Sequence, residues 1–175
     1  MEPKETMSRR WMIFLLATGH FFLSQFYRTS NAVIAPELIR DLSLNTEELG
    51  LLSASFFYAF ALTQIPISVL LDKIGARRIM TALSLMGVVG ALLFSIADSL
   101  GLGLIGRILL GVGMACNLMG PLKLITAWFS PRYFATLSAI FVSVGTAGNI
   151  VAATPLVWLT DWLGWRTTFL CLAIF

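Results

Sequence analysis

The sequence predicts an all-α polytopic membrane protein with five complete transmembrane spans and the beginning of a sixth. Of its 175 residues, 58% are hydrophobic and only 12% are charged. A soluble domain normally carries about 25% charged residues, so this chain lacks the polar surface that a soluble fold needs. Several apolar stretches reach roughly 20 residues, the length that crosses a hydrocarbon core about 30 Å thick.

The predicted spans follow apolar runs that short polar turns separate. In chain order, we expect spans at Trp11–Leu38, Glu48–Leu71, Ile79–Ala97, Leu100–Phe129 and Phe134–Leu159, with a sixth that begins near Arg166. The last ten residues rise only about 15 Å as a helix, which does not cross a bilayer. We therefore expect a tail over residues 1–10, a transmembrane unit over residues 11–175, and a chain that is a fragment truncated within its sixth helix.

Basic residues in the loops predict the orientation. Two of them, Arg40 and Arg166, lie on one side of the predicted bilayer. The other side has seven: Lys4, Arg9, Arg10, Lys73, Arg77, Arg78 and Arg132. Because cytoplasmic loops carry the excess of Lys and Arg, we expect a cytoplasmic N-terminus, as in a protein of the bacterial inner membrane. The net charge of +3 therefore indicates topology and not nucleic-acid binding.

Small-residue stripes and a polar turn predict local structure. Asn45 followed by Glu48 is the pattern of a capping box at the start of the second span. Small residues recur on one face of each of two later spans, where they allow another helix to approach closely. They are Gly106, Gly113 and Gly120 in the fourth span, and Gly145, Gly148 and Ala152 in the fifth.

Three cations, Arg28, Arg107 and Lys123, lie within the predicted spans, and no Asp or Glu lies deep in those spans to pair with them. A cation at mid-membrane costs about 2.5–3.5 kcal/mol, so each needs a partner or water. For Arg28 we favour contact with an anionic solute over pairing with an acid elsewhere in the protein. For Arg107, a neighbouring helix's carbonyls and the cavity are equally favoured. For Lys123 we favour a stem that carries the ammonium to the interface.

Polar side chains recur at steps of three and four along the first span, on one helical face. They are His20, Ser24, Tyr27, Arg28 and Asn31. A polar face on a spanning helix should line an aqueous cavity, and the planar fork of Arg28 suits a carboxylate or phosphate. We therefore predict a solute-binding site from these five residues and Arg107. For His20, a hydrogen-bonded and non-titrating ring is favoured over a proton carrier.

The turn between the second and third spans carries four charges. Asp72 follows a helix C-terminus, whose partial negative charge disfavours a carboxylate. It should therefore be stabilised by Arg77, by Arg78 or by the N-terminus of another helix. Gly75 permits the tight reversal of the chain. We expect a charged clip that holds in one conformation and releases in the other.

This turn resembles the signature loop of the major facilitator superfamily, which reads roughly G-x-x-x-D-R-x-G-x-R-R. Residues 68–78 match it at Asp72, Gly75, Arg77 and Arg78, with Lys73 in place of Arg and Ser68 in place of the first Gly. Two further segments are similar to family patterns in the fourth span and at the opening of the sixth. They are Arg107 with Gly111 and Gly113, and Gly164-Trp165-Arg166 with Phe169.

The resemblance implies the N-terminal six-helix half of a twelve-helix secondary transporter that works by alternating access. Its partners would be the lipid bilayer and a second six-helix half, against which the Asp72 loop would act as a gate, so that Asp72 would find its partner outside this chain. Tyr27-Arg28 with Asn31 is similar to the organic-anion branch, which implies an anionic solute and symport with a proton or sodium. That branch often has an acid at the position of Tyr27 and a Glu at that of Met114, so this chain lacks both carboxylates.

Three alternatives remain at this point. The missing carboxylates mildly favour a transporter-like sensor or assembly protein that does not transport. A transporter of the same fold for a neutral or drug-like solute is the second, although the fifth span lacks the family's G-P-x-x-G-G drug-antiporter run. An intramembrane enzyme is the third and is poorly supported, because the sequence has no nucleophile with a base, phosphate loop or Cys/His cluster. We therefore expect no enzyme activity, cofactor or metal.

Overall fold

A computed structural model describes the backbone of residues 4–174 and the side chains of residues 9–173. This part of the chain is helical throughout apart from short turns, which confirms the predicted all-α fold class. The helices are α1 (Lys4–Val33), α2 (Ala35–Leu42), α3 (Thr46–Lys73), α4 (Ala76–Ser95), α5 (Leu100–Met114), α6 (Met119–Trp128), α7 (Phe134–Leu163) and α8 (Trp165–Ile174). A 3-10 turn at Pro131–Tyr133 precedes α7.

Four helical stretches of the described chain are long and apolar enough to cross a membrane. They are α3, α4, the pair α5–α6, and α7 with its preceding turn. Helix α1 is not among them, although its 30 residues extend about 45 Å. The polar side chains of its predicted functional face lower its hydropathy, so length and composition alone do not identify it as a span.

The first predicted span ends earlier than expected. Helix α1 stops at Val33, Ile34 forms a turn, and the separate helix α2 begins at Ala35 with Pro36 in its first turn. Proline lacks the N–H that would continue the ladder of α1, whereas the first turn of a new helix tolerates it. The prediction of one helix through Leu38 is therefore wrong, since Leu38 belongs to α2.

The fourth predicted span is two helices, because residues 115–118 form turns between α5 and α6. Here the chain uses shorter-range hydrogen bonds, from Ala115 N–H to the Val112 carbonyl and from Asn117 N–H to the Met114 carbonyl, each 3.2 Å. Pro121 has no N–H to donate to the carbonyl of Asn117. The predicted span over Leu100–Phe129 is therefore present as one membrane-spanning stretch, Leu100–Trp128, with a break in its helix at the centre.

The predicted small-residue faces do pack against neighbouring helices. A methyl group at Gly106 would lie 2.7 Å from the backbone nitrogen of Phe94, so α5 and α4 are in backbone contact there. Gly148 on α7 likewise meets the backbone carbonyl of Phe22 on α1. The predicted capping box is also present, since Asn45 and Glu48 each accept the other's backbone N–H at 2.9 Å.

Candidate functional site

Arg28 lies against aromatic rings of α3. Its guanidinium carbon is 4.7 Å from the ring centre of Phe60 and 5.6 Å from that of Phe57. Its side chain is partly exposed, and no ion pair joins it to another residue in the described chain. Aromatic faces attract a cation without using its N–H groups. The donors of Arg28 therefore remain available to a ligand.

Arg107 has a different environment, because it is completely buried. Its Nη1 donates a hydrogen bond to the backbone carbonyl of Tyr27 at 3.3 Å. Its guanidinium carbon lies 4.9 Å from the ring centre of Phe56 and 5.6 Å from that of Phe94. Of the two alternatives for Arg107, the carbonyl of a neighbouring helix is therefore the one observed, and the structure does not bring Arg107 into an open site with Arg28.

Aromatic residues of α3 separate the two arginines. Phe56 and Phe60 are one helical turn apart and stack with ring centres 6.2 Å apart. Phe56 contacts Arg107, whereas Phe60 contacts Arg28. These rings do not stand out in the sequence, because a phenylalanine in a span is ordinarily a packing residue. Their contacts with the two arginines become visible only in the folded structure.

The polar face of α1 is mostly enclosed by protein. Ser24, Tyr27 and Asn31 are no more than 5% exposed, and the Asn31 amide donates to the Ser53 hydroxyl at 2.5 Å. The expectation that all five residues line an aqueous cavity is therefore wrong for these three. The reason is angular: at about 100° per residue, Arg28 lies about 70° around the helix from the centre of the stripe through the other four. The stripe faces neighbouring helices, whereas Arg28 lies at its edge.

His20 forms a hydrogen bond, as favoured from the sequence. Its Nε2 lies 2.8 Å from the Ser84 hydroxyl on α4. That hydroxyl donates its single proton to the carbonyl of Met80 at 2.6 Å. The His20 Nε2–H must then be the donor to Ser84. His20 thus connects α1 with α4 rather than lying beside Arg28.

Lys123 pairs with the charged turn. Its ammonium donates to the carboxylate of Asp72 and, at 2.8 Å, to the carbonyl of Leu71. The stem of Lys123 thus carries its ammonium to the exposed end of α3, as favoured from the sequence. The expectation that Asp72 finds its partner outside this chain is wrong, because that partner is Lys123. Lys123 also compensates the α3 C-terminus, because it bonds one of the last carbonyls of that helix. Gly75 has a φ of +96°, which fits the reversal predicted there.

A second charged cluster joins the helix ends farthest from this turn. The carboxylate of Asp41 accepts hydrogen bonds from Trp165 Nε1 at 2.9 Å, Arg166 Nη1 at 2.8 Å and Arg40 Nε at 3.1 Å. These bonds, that of the Trp165 indole foremost, hold the pKa of Asp41 below its ordinary value. Asp41 does not stand out in the sequence, because an acid in a loop is ordinarily a solvated residue.

Apolar helices long enough to span a membrane, joined by charged turns at both ends, define a polytopic membrane protein. Residues 16–175 match the sequence profile of the Major Facilitator Superfamily. The chain therefore belongs to the Major Facilitator Superfamily. Membership confirms the family predicted from the Asp72 turn, and it identifies the chain as part of a transporter-family protein and not of an enzyme.

Several curated relatives resemble the chain over nearly its whole length. It is 27% identical over 175 residues to the probable galactarate/D-glucarate transporter GudP of Escherichia coli, covering 95% of this chain and 38% of the relative. It is 25% identical over 169 residues to the probable sulfoacetate transporter SauU of Cupriavidus necator, covering 97% and 39%. It is 24% identical over 167 residues to the chloroplastic sodium-dependent phosphate transport protein 1 of Arabidopsis thaliana, covering 94% and 33%. The chain thus spans less than half the length of these relatives.

Proposed function

We propose that the whole protein is a secondary active transporter that carries a small organic anion across a bacterial inner membrane by alternating access. The N-terminus lies in the cytoplasm, a second six-helix half completes the cavity, and a proton or sodium gradient drives symport. The observation that carries the proposal is the Arg28 guanidinium, which is partly exposed and has no acidic partner in the described chain. The relatives GudP and SauU, a probable galactarate/D-glucarate transporter and a probable sulfoacetate transporter, support an organic anion as the solute.

Arg28 is the residue that contacts the anion. Phe57 and Phe60 lie against its guanidinium without using its N–H groups, which leaves them for a bidentate carboxylate. An unpaired cation at membrane depth raises the free energy of the empty site. A bound anion pairs with that cation and removes this cost, which favours binding.

The other residues predicted for the site form the wall behind Arg28. They are His20, Ser24, Tyr27, Asn31 and Arg107, which hold α1 against its neighbours. Arg107 donates to the carbonyl of Tyr27, the residue before Arg28 in the chain. We assign to this group the placement of the α1 backbone at Arg28, and to Arg28 alone the direct contact from the predicted set.

The turn of Asp72, Gly75, Arg77 and Arg78 is the cytoplasmic gate element. Asp72 is held by Lys123 of α6, so this end of the gate is fastened within the chain itself. Arg77 and Arg78 are exposed at the start of α4, where they are free to meet the second half of the protein.

Uptake by the full-length protein in proteoliposomes tests this proposal. With radiolabelled D-glucarate, sulfoacetate and phosphate as probes, at least one should be taken up saturably. Arg28→Ala should abolish that uptake, and Arg28→Lys should raise its KM at least about tenfold, because lysine cannot reproduce a planar, bidentate fork.

Arg132→Ala is the matched control, since Arg132 is an exposed arginine that lies over one ring, that of Tyr133, at 5.2 Å. Its uptake should equal that of the wild type. Unchanged uptake by both Arg28 variants would refute the site. Saturable binding without uptake by the wild-type protein would instead favour the sensor alternative.

A further inference from the structure

Three chain segments converge at the ends of α2, α4 and α8 that lie opposite the Asp72 turn. We call this the Asp41 cluster; its members are Arg40, Asp41, Ala97, Trp165 and Arg166. Arg166 bridges two of the segments, because its Nη1 donates to Asp41 at 2.8 Å while its Nη2 donates to the carbonyl of Ala97 at 2.8 Å. The cluster therefore fastens the connection after α1 and the end of α4 to the beginning of α8.

Trp165 continues the cluster into the core. The ring is only 2% exposed, so its N–H would be a costly orphan without the carboxylate of Asp41. The guanidinium carbon of Arg166 lies over the same indole, 4.4 Å from the ring centre. The orientation of the indole is thus determined by a hydrogen bond at its edge and a cation on its face.

The rings beneath Trp165 are those that enclose the site wall. Trp165 packs against Phe94, with ring centres 5.5 Å apart, and against Phe169, at 6.4 Å. Phe94 lies 5.6 Å from the guanidinium of Arg107. Phe169 lies 5.7 Å from the ring of Tyr27. The ring of Phe94 therefore connects the indole with Arg107, and the ring of Phe169 connects it with Tyr27.

We propose that Asp41 is a positioning residue for the anion site: through Trp165 and the rings of Phe94 and Phe169, it holds the α1 backbone that carries Arg28. This inference rests on the proposed function, because it assigns to Asp41 an effect on anion affinity. The ion pair with Arg166 alone would contribute little, since Asp41 and Arg166 are 24% and 39% exposed. The effect of Asp41 on the site passes through its hydrogen bond with the buried indole N–H of Trp165.

The test compares Asp41→Asn and Trp165→Phe with the wild type in full-length protein. It measures uptake, normalised to folded protein, of whichever of D-glucarate, sulfoacetate and phosphate the wild type transports. Phenylalanine keeps most of the ring and removes the N–H. Both variants should raise the KM about three- to tenfold while the maximal rate changes less than about twofold, the range found for residues that act through a packed network. Asp98→Asn, at an exposed acid next to Ala97, is the control and should match the wild type.

Arg28→Lys and Arg28→Ala are measured in parallel to separate two failures. If Arg28→Lys raises the KM and neither Asp41→Asn nor Trp165→Phe does, the positioning role is refuted and the anion site stands. If Arg28→Lys and Arg28→Ala both leave uptake unchanged, the anion site is refuted and the positioning role fails with it. Should Asp41→Asn not fold, Trp165→Phe decides.

A measurement without solute gives the same decision. A cysteine placed at position 28, in full-length protein whose other cysteines are serine, reports the position of α1 by its rate of reaction with a charged methanethiosulfonate reagent. Trp165→Phe should change this rate about threefold or more, whereas Asp98→Asn should not. Equal rates in the two backgrounds would refute the positioning role.

Discussion

Arg28 and Arg107 carry the same side chain in the same kind of segment, yet their surroundings divide their roles. Arg107 has a carbonyl and two rings around it and is completely buried, whereas Arg28 has two rings and a partly exposed edge. The sequence predicts that both cations need an explanation. It does not predict which one is enclosed, because that depends on the rotation of α3 and on Phe56, Phe57 and Phe60.

Substitutions at Lys123 and Asp72 test whether this ion pair takes part in gating. Lys123→Met should leave the stability of the protein nearly unchanged, since a pair in which Asp72 is 79% exposed contributes about 0–1 kcal/mol. It should nevertheless slow uptake, because the gate is then fastened less firmly. The double exchange Asp72→Lys with Lys123→Asp should recover part of the rate, measured as uptake per folded protein. Full activity of Lys123→Met would show that the pair takes no part in gating.

The lowered pKa of Asp41 predicts that the stability of the protein depends on pH in the acidic range. Its pKa is lower in the folded protein than its ordinary value of about 3.9, so the unfolded chain binds more protons in that range. Its contribution is complete above about pH 4 and is lost as the pH falls through the folded pKa. Thermal unfolding in detergent should show a midpoint that falls more steeply below about pH 4 for the wild type than for Asp41→Asn. Parallel curves would contradict the role of the carboxylate.

At the scale of the elements, the spacing of apolar and small residues predicts which helices exist and which faces meet. The spacing of these residues does not predict the helix breaks at Ile34 and at residues 115–118. Pro36 and Pro121 lie beside these breaks, yet Pro66 and Pro155 lie inside the continuous helices α3 and α7. A proline within an apolar run therefore allows either outcome, and tertiary packing decides between them.

Two glycines of α5 form a matched pair for testing the α4–α5 contact. A methyl group at Gly106 would lie 2.7 Å from the Phe94 nitrogen, whereas one at Gly101 would meet nothing within 4 Å. Gly106→Ala should therefore destabilise the protein by about 1–3 kcal/mol through overpacking. Gly101→Ala should be neutral or slightly stabilising, because alanine favours a helix. Thermal unfolding in detergent measures both. Equal midpoints would mean that the backbones are not in close contact.

At the scale of the whole molecule, composition and one turn predict most of what is observed. The low charge indicates a membrane protein, and the Asp72 turn indicates the superfamily that the profile match then confirms. The site is less predictable, because the sequence shows the polar face of α1 but not which of its side chains the neighbouring helices enclose. The partner of Asp72 also lies 51 residues away in the chain, at Lys123, where no local pattern points to it.

The central claim is that an anion binds directly to Arg28, and a structure of the full-length protein with bound D-glucarate tests it most directly. We expect a carboxylate of the ligand about 2.7–3.2 Å from the guanidinium nitrogens of Arg28, with the rings of Phe57 and Phe60 still against the guanidinium. A bound anion elsewhere, with Arg28 paired to an acid from the remainder of the protein, would contradict it.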